Sequence, residues 1–407
     1  MNEKKSKGNE ERSEKEPTSD EASVDESGES PEKPTTNSFN RMEWAGAFGD
    51  LGTLIPFVIG YIAIVDIDPL GILLTFGVFL IASGLVYKTP FPVQPMKAIG
   101  GAAITQASLI TSNMVWAAGL FTGVFWLIIG LTGAMKYIAN IVSKPVLRGI
   151  VLGLGISFII QALTMMRTDI IITVIALILT IVLFSNKRVP AMFVLLLLGV
   201  VVTFITSPGL LQEIIAVRPG FRLPGFALST LSWRDFLTGI FILALPQIPL
   251  TLGNSAIATA EENNRRFPDR PVRENKVAAT MGIMNIISPV FGGVPVCHGA
   301  GGMASHVRFG AKTGGAVIIL GSFLLLLGLF FSDSVVLILE MIPVSVLGVM
   351  LFFAGIELAM SARDVGSDKT DFYILLFSAG FSIWNVGIGF LAGLIMQFLV
   401  KRKWFKG

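Results

Sequence analysis

The sequence contains few charged or chemically reactive side chains. Only 14% of its 407 residues are charged, whereas soluble domains carry about 25%. Cys297 is the single cysteine, so an internal disulfide is excluded. His298 and His306 are the only histidines, and together with Cys297 they are too few for a closed metal site. These shortages exclude a typical soluble domain, and we expect neither a metal nor a cofactor.

Enzyme motifs are missing as well. The sequence offers no nucleophile and base pair, no metal-ligand set and no phosphate-binding loop. We therefore predict that the protein is not an enzyme, and we expect no nucleic acid among its partners.

The first forty residues contain almost no large apolar side chains. They carry eleven acidic and six basic residues and are rich in Glu, Ser, Lys and Pro, which leaves 25 Lys and Arg against 17 Asp and Glu in the remainder. Such a composition cannot bury a core, and it contains no hydrophobic region of a secretory signal. We expect residues 1–40 to form a disordered cytoplasmic tail.

Long apolar runs dominate the rest of the chain, and the mean hydropathy is +0.72. A membrane span needs ~20 apolar residues. The predicted spans are 43–65, 70–87, 90–110, 114–137, 145–166, 170–184 and 189–206, then 235–260, 277–291, 294–307, 314–331, 334–360, 372–384 and 386–400. The sequence thus predicts a polytopic all-α membrane protein with seven plus seven spans, although hydropathy alone allows ten to fourteen.

Basic residues alternate along the connections between these spans. If the N-terminus is inside, the cytoplasmic connections contain Lys88, Lys136, Lys144, Lys187, Arg188, Arg265, Arg266, Arg270, Arg273, Lys276, Arg308, Lys312, Arg363 and Lys369. This pattern fits the positive-inside rule with both termini cytoplasmic. An odd number of spans per half makes the halves inverted repeats. We predict a first repeat at 41–206, a connecting loop with short interfacial helices at 207–233 and a second repeat at 234–401.

Two spans are broken by glycine and proline. The stretch 291–315, FGGVPVCHGAGGMASHVRFGAKTGG, reads as a short extended piece followed by a helix, and so does 89–103, TPFPVQPMKAIGGAA. In lipid such backbone survives only where protein buries it or a cavity solvates it. Close helix packing is the alternative explanation of these glycines, but paired breaks in two halves indicate a transporter's central site.

The inverted arrangement brings both breaks to the middle of the membrane. Two half-helix N-termini would then face one cavity with their positive dipole ends. This geometry favours an anion as the ligand.

Four side chains of the first half are candidates for this site. Lys97 lies in the first turn of the half-helix, where an anion would explain a cation, although it could instead snorkel or pair with Asp50. Gln94 can donate through its amide. Asp50 is an intramembrane carboxylate, for which we consider proton coupling, holding Lys97 or helix capping. Thr53 is a candidate hydroxyl donor.

The second half adds polar groups on the eighth span and at the second break. Gln247, Thr251 and Asn254 share a helical face, next to Ser255, and we favour the cavity over helix association for this stripe. His298 could donate to an oxyanion or serve a structural role. We predict that Gly299 and Gly301, with Ala300 between them, let backbone approach the anion.

Four strings in the chain resemble the signature blocks of the molybdate transporter family, which is related to the sulfate permeases. They are GDLGTLIP, PFPVQPMKAI, PQIPLTLGNSAIATA and VPVCHGAGGMASHVRFGAKTGG, and the similarity extends from about 42 to 315. The resemblance implies the seven-plus-seven inverted repeat of uracil permease, with spans 1–4 and 8–11 as core domain and spans 5–7 and 12–14 as gate domain. It also implies that both broken segments, including Pro95 and Met96, bind substrate together with spans 1 and 8.

These observations predict a secondary active transporter of a tetrahedral oxyanion, molybdate before sulfate, working by alternating access and coupled to protons. The chain ends shortly after Val400 without a STAS domain, which favours the molybdate branch of the resemblance. A passive anion channel is the alternative of another class, but the spans offer no polar lining for a wide pore. Expected partners are the oxyanion, membrane lipids and, as an option, a second copy in a homodimer, in the plasma membrane.

Overall fold

The computed structural model describes residues 36–106, 108–135, 143–183, 191–365 and 368–402. The predicted tail lies outside this part except for its last five residues. Lys136, Lys187 and Arg188 of the predicted cytoplasmic connections, and the side chain of Asn254, also lie outside it.

The first half of the described chain is helical apart from one two-residue strand. Its elements are α1 (Arg41–Ala47), a 3-10 turn (Phe48–Asp50), α2 (Leu51–Ala63), α3 (Pro69–Tyr87), β1 (Gln94–Pro95), α4 (Lys97–Thr105), α5 (Ser112–Thr132), α6 (Lys144–Met166), α7 (Ile170–Leu183), α8 (Ala191–Thr206) and α9 (Pro208–Ile215).

The second half repeats this order of elements. Its elements are α10 (Trp233–Arg266), α11 (Glu274–Val290), β2 (Val296–Cys297), α12 (Ala300–Arg308), α13 (Gly315–Phe331), α14 (Val335–Glu340), α15 (Val344–Met360), α16 (Lys369–Trp384) and α17 (Val386–Lys401). The two broken segments predicted from the sequence are confirmed, because each consists of a short strand followed by a nine-residue helix.

Several helices are suited to cross a membrane. By length and composition, five helices of the described residues could do so, or seven if each of two bent pairs is one span. The bent pair at the start of the chain is α1 with α2, which meet at 50°. The helices α7, α15 and α17 are apolar but shorter.

Two predicted spans differ in detail from the structure. The predicted span 334–360 is divided into α14 and α15, and Pro343 lies in the gap, where proline restricts the residue before it to extended backbone. The eighth span is longer than predicted and contains π-helical stretches at Ile240–Ala244 and Thr251–Ile257. Pro246 and Pro249 lie between these stretches and lack an N–H, which explains the local change in hydrogen bonding.

The packing between the halves follows a two-fold pattern. Helix α3 packs against α13, and α11, the counterpart of α3, packs against α5, the counterpart of α13. Likewise α1 packs against α13, and α10 packs against α5. The pairs α6–α15 and β1–β2 join equivalent elements of the two halves. This is the contact pattern that an inverted repeat requires.

Small residues allow the close approach of these helices. A Cβ atom at Gly77 of α3 would lie 2.8 Å from the carbonyl oxygen of Gly321 on α13, and one at Gly321 would lie 2.7 Å from that of Gly77. Contacts of this kind are typical of helix association in lipid.

The carboxylate of Glu43 ties the beginning of the first span to α13. Glu43 is 1% exposed, and its Oε1 accepts from the N–H groups of Lys312 (3.0 Å) and Thr313 (2.9 Å). Its Oε2 accepts from the N–H of Ala316 at 3.0 Å. A carboxylate at this position satisfies donors at the beginning of a helix and complements its dipole.

We expect Glu43→Ala to destabilise the protein by about 3 kcal/mol or more, because three N–H groups, two of them in buried hydrogen bonds, lose a charged acceptor. Thermal unfolding of the purified protein in detergent measures this loss. Glu261→Ala, which removes an exposed carboxylate on α10, is the matched control and should change stability by less than about 0.5 kcal/mol. Equal stability of both variants would contradict the assignment.

Candidate functional site

The two broken segments meet at β1 and β2. These strands pair antiparallel, with Gln94 opposite Cys297 and Pro95 opposite Val296. The N–H of Met96 extends the pairing by donating to the carbonyl of Pro295 at 2.9 Å. Helix α4 begins two residues after β1 and α12 three residues after β2. The N-termini of both half-helices therefore lie beside the same strand pair.

The second half-helix begins with unsatisfied N–H groups. No side chain caps α12, and within the described chain the N–H groups of Ala300, Gly301 and Gly302 have no acceptor. The first backbone hydrogen bond of the helix runs from the N–H of Met303 to the carbonyl of Gly299, the residue that precedes α12. Such a helix end is an anion-binding feature.

The first half-helix is different, because a side chain of the eighth span caps it. Oε1 of Gln247 accepts from the N–H groups of Ala98 (2.8 Å) and Ile99 (3.3 Å). Its Nε2 donates to Oγ1 of Thr251 at 2.9 Å. The two half-helix ends are thus not equivalent, and Gln247 and Thr251 hold α4 instead of facing an open cavity.

Asp50 is linked to β1 through Gln94. The Asp50 carboxylate, which is 5% exposed, accepts from Nε2 of Gln94 at 2.8 and 2.7 Å. It does not cap α2, so the helix-capping alternative is not realised. Oε1 of Gln94 is buried without a hydrogen-bond partner in the described structure. The amide group is therefore oriented by the carboxylate.

Glycines of α12 make room for this pair. A Cβ at Gly299 would lie 1.9 Å from Oε1 of Gln94, and one at Gly302 would lie 2.5 Å from Oδ2 of Asp50. At Gly301, by contrast, a Cβ would have no heavy atom within 4 Å. The absence of a side chain at Gly299 and Gly302 thus leaves room for Gln94 and Asp50, and Gly301 faces open space beside the free N–H groups.

Lys97 supplies a positive charge near these groups. It is partly exposed and interacts electrostatically with Asp50 and Cys297. Among the residues described, no carboxylate lies within ion-pair distance of its ammonium group, so Lys97 is not held by Asp50. The Lys97 ammonium group is therefore available to interact with a dianion bound at the free N–H groups of α12.

His298 is occupied by protein groups. It is 1% exposed, its Nδ1 contacts the carbonyl of Pro92 at 2.7 Å, and its Nε2 contacts Oγ1 of Thr280 at 3.2 Å. The ring also packs edge-on against Phe91. In this conformation neither ring nitrogen is left for an oxyanion, so His298 positions the strand pair.

The remaining predicted residues lie beside the groups described above. Thr53 lies beside the Asp50 carboxylate, and Ser255, 3% exposed, lies beside the thiol of Cys297. Pro95 and Met96 are buried in the strand pair. Asn254 belongs to a π-helical stretch of α10, but its side chain is outside the described part.

Sequence reasoning missed His306. Its ring is fully buried, and its Nδ1 donates to the carbonyl of Gly46 at 2.8 Å. It lies four residues after Gly302, hence on the same face of α12 as the Asp50 carboxylate. This spacing was the available signal, but nothing in the sequence placed Asp50 beside Gly302.

Comparisons with known proteins identify the family of this chain. The chain matches the family model described as "Molybdate transporter of MFS superfamily" over residues 42–158 and 239–358. Molybdate transporter 2 of Arabidopsis thaliana is 35% identical, over 89% of this chain and 87% of that protein. The chain belongs to this family. A more distant member, molybdate transporter 1 of Chlamydomonas reinhardtii, is 27% identical over 87% of this chain and 90% of its own length.

Solved structures identify the fold. The transmembrane domain of the cyanobacterial bicarbonate transporter BicA aligns with a TM-score of 0.64 and 16% identity, over 87% of this chain and 97% of that chain. Murine Slc26a9, an anion transporter solved in the inward-facing state, aligns with a TM-score of 0.66 and 12% identity, over 92% of this chain and 70% of that chain. The predicted seven-plus-seven inverted repeat is thereby confirmed, although the family description names the MFS superfamily. This member of the family is a multi-pass membrane transporter and not an enzyme.

The groups around the strand pair suit the binding of an anion and offer no covalent chemistry. Free N–H groups of α12 and the Lys97 ammonium supply positive charge. Asp50, beside Gly302, supplies negative charge when it is ionised. An anion near Gly301 and an ionised Asp50 would repel each other strongly in this apolar surrounding. Anion binding therefore favours the protonated carboxyl group.

Proposed function

We propose that the protein is a secondary active transporter of a tetrahedral oxyanion, and of molybdate in the first place. The observation that carries this proposal is the N-terminus of α12, where Ala300, Gly301 and Gly302 have free N–H groups next to open space. Lys97 begins the other half-helix, which follows the strand paired with β2. Free backbone donors at a helix N-terminus beside open space suit a small inorganic oxyanion. Gln94, Thr53 and Ser255 complete the surroundings, with Asn254 as a further candidate.

The choice of molybdate rests on family relationship. The relatives at 35% identity in Arabidopsis thaliana are named as molybdate transporters, whereas the similarity to BicA and Slc26a9 concerns the fold. Sulfate has the same charge and tetrahedral shape, so it is the closest competitor. We rank it second because both relatives at 35% identity are named as molybdate transporters.

Transport by alternating access is the second part of the proposal. Helices α6, α15, α16 and α17 pack mainly with one another, while α3 packs with α13 and α5 with α11. This grouping supports a gate domain of spans 5–7 and 12–14 that moves against a core domain of spans 1–4 and 8–11. Each predicted repeat, 41–206 and 234–401, would contribute four spans to the core domain and three to the gate domain, and the loop 207–233 would join the repeats.

We place both termini in the cytoplasm and the protein in the plasma membrane, and we retain the homodimer as an option.

Proton coupling through Asp50 is the third part. Moving a dianion into a cell against ~100 mV requires about 4.6 kcal/mol, at roughly 2.3 kcal/mol per charge. Because the anion and the ionised carboxylate repel each other, an anion bound near Gly301 brings a proton with it to Asp50. A proton gradient can then drive accumulation. Asp50 is buried, and its hydrogen-bond partners among the described residues, Gln94 and Thr53, are neutral, which supports this role.

Uptake by reconstituted vesicles tests the proposal. We expect labelled molybdate to accumulate when the outside is made acidic, sulfate to compete more weakly and uracil not to compete. A passive channel predicts equilibration without accumulation, and a sulfate transporter predicts the opposite order of competition. Either result would replace the proposed function.

Lys97→Gln tests whether the ammonium group binds the anion. Loss of one partner of a close charge pair costs about 2 kcal/mol or more, so the half-saturating molybdate concentration should rise roughly 30-fold or more. Lys369→Gln, at an exposed lysine of α16, is the matched control. An unchanged half-saturating concentration in Lys97→Gln would mean that Lys97 only snorkels.

A further inference from the structure

His306 is a buried ionisable group that the site described above does not use. Its ring is 0% exposed. Nδ1 lies 2.8 Å from the carbonyl oxygen of Gly46, which can only accept, so Nδ1 carries the proton of this bond. In the neutral ring Nε2 is then a bare acceptor, and it is buried without a partner in the described structure.

Helix α12 places this acceptor near Asp50. Oδ2 of Asp50 lies against Gly302, within 2.5 Å of the position of a Cβ atom there. His306 follows Gly302 by four residues, which puts it one turn, about 6 Å, further along the same face. The two groups are close enough to interact electrostatically. Gly46 and Gly49 allow the first span to pack closely against α12 and the residues that follow it. Cβ atoms at these glycines would lie 2.6 Å from Ala311 and 2.8 Å from the carbonyl of Ser305.

The elements packed against α12 are α1, the 3-10 turn and the end of α10. Their charged groups, with that of α12 itself, are Arg41, Glu43, Asp50, Glu261, Glu262, Arg265, Arg266 and Arg308. Glu43 is bound by backbone N–H groups, and Glu262 pairs with two arginines. The remaining groups, Asp50 excepted, are exposed. Asp50 is thus the buried charged group that His306 meets.

We propose that His306 carries a second proton, at Nε2, in each transport cycle, so that a dianion is moved with two protons. Asp50 takes one proton and becomes a neutral carboxyl group, and His306 takes the other and becomes an imidazolium. Both protons come from the side where the anion binds and leave with it on the other side. The dianion and two protons have no net charge, so the membrane potential no longer opposes uptake. This inference rests on the proposed function.

His306→Gln separates this role from a structural one. The glutamine amide can still donate to the Gly46 carbonyl but cannot take up a proton. In vesicles with an inside-negative potential of ~100 mV, equilibrium accumulation of molybdate by the variant should fall roughly 50-fold relative to zero potential, whereas that of the wild type stays unchanged. A variant that is as insensitive to potential as the wild type would overturn the proposal.

Proton counting on the wild type gives a test that does not depend on the variant. An entrapped pH dye and labelled molybdate, measured together, should report two protons per anion. A ratio of one or less overturns the role of His306 while leaving the proposed function intact, since the anion is still transported. Absence of any molybdate uptake by the wild type would instead refute the proposed function itself.

Discussion

Replacing Gly301 by valine should abolish molybdate uptake while leaving the protein folded. The expected loss is on the order of 100-fold or more, because displacement of a positioned group by about 1 Å already has effects of that size. A Cβ at Gly301 meets no protein atom within 4 Å, so the added methyl groups enter the open space beside the free N–H groups of α12 and not the protein core. Initial uptake rates in vesicles and thermal unfolding in detergent measure the two effects.

Gly380→Val is the matched control for this variant. Gly380 also lies within a helix, α16, and a Cβ there also has no heavy atom within 4 Å. The control should retain uptake, since Gly380 is exposed on a helix that packs mainly against α6 and α17. Gly299→Ala forms a useful contrast, because its Cβ would collide with Gln94 and should disturb the site itself. Normal uptake by Gly301→Val would show that the anion does not bind at the second half-helix.

Much of the fold could be predicted because membrane folds follow from apolar length and from the placement of glycine, proline and basic residues. The broken segments are an example. The prolines of PFPVQP exclude a helix before Lys97, and the strand β1 lies where they predict it. The division of the predicted span 334–360 is not evident from the sequence, because the apolar run continues on both sides of Pro343.

The assignment of roles within the site could not be predicted to the same degree. The polarity and position of Gln247 indicate a cavity, but the structure shows that it caps α4. That role depends on where the eighth span lies relative to α4, which is a long-range contact. Gly302, His306 and Glu43 were overlooked for the same reason, because each takes its meaning from a partner more than 200 residues away.

Replacing Asp50 by asparagine should remove one proton per anion from the coupling to the proton gradient without stopping exchange of one anion for another. The amide cannot take up a proton, yet it has nearly the same shape and can still meet Gln94. At zero potential and a gradient of one pH unit, two protons per anion sustain accumulation of roughly 100-fold, and each proton lost reduces this about tenfold. Asp50→Asn should therefore reach at most about tenfold if His306 carries the second proton, and no accumulation if Asp50 is the sole carrier.

Exchange separates this effect from damage to the site. Vesicles loaded with unlabelled molybdate should take up labelled molybdate through Asp50→Asn at a rate near that of the wild type, because exchange involves no net proton movement. Asp50→Glu retains an ionisable carboxyl group and is the control for coupling, although its longer side chain must fit against Gly302. If Asp50→Asn accumulated molybdate as far as the wild type in the same gradient, the proton would have to travel elsewhere. The bonds between Asp50 and Gln94 would then serve only to position β1 against α12.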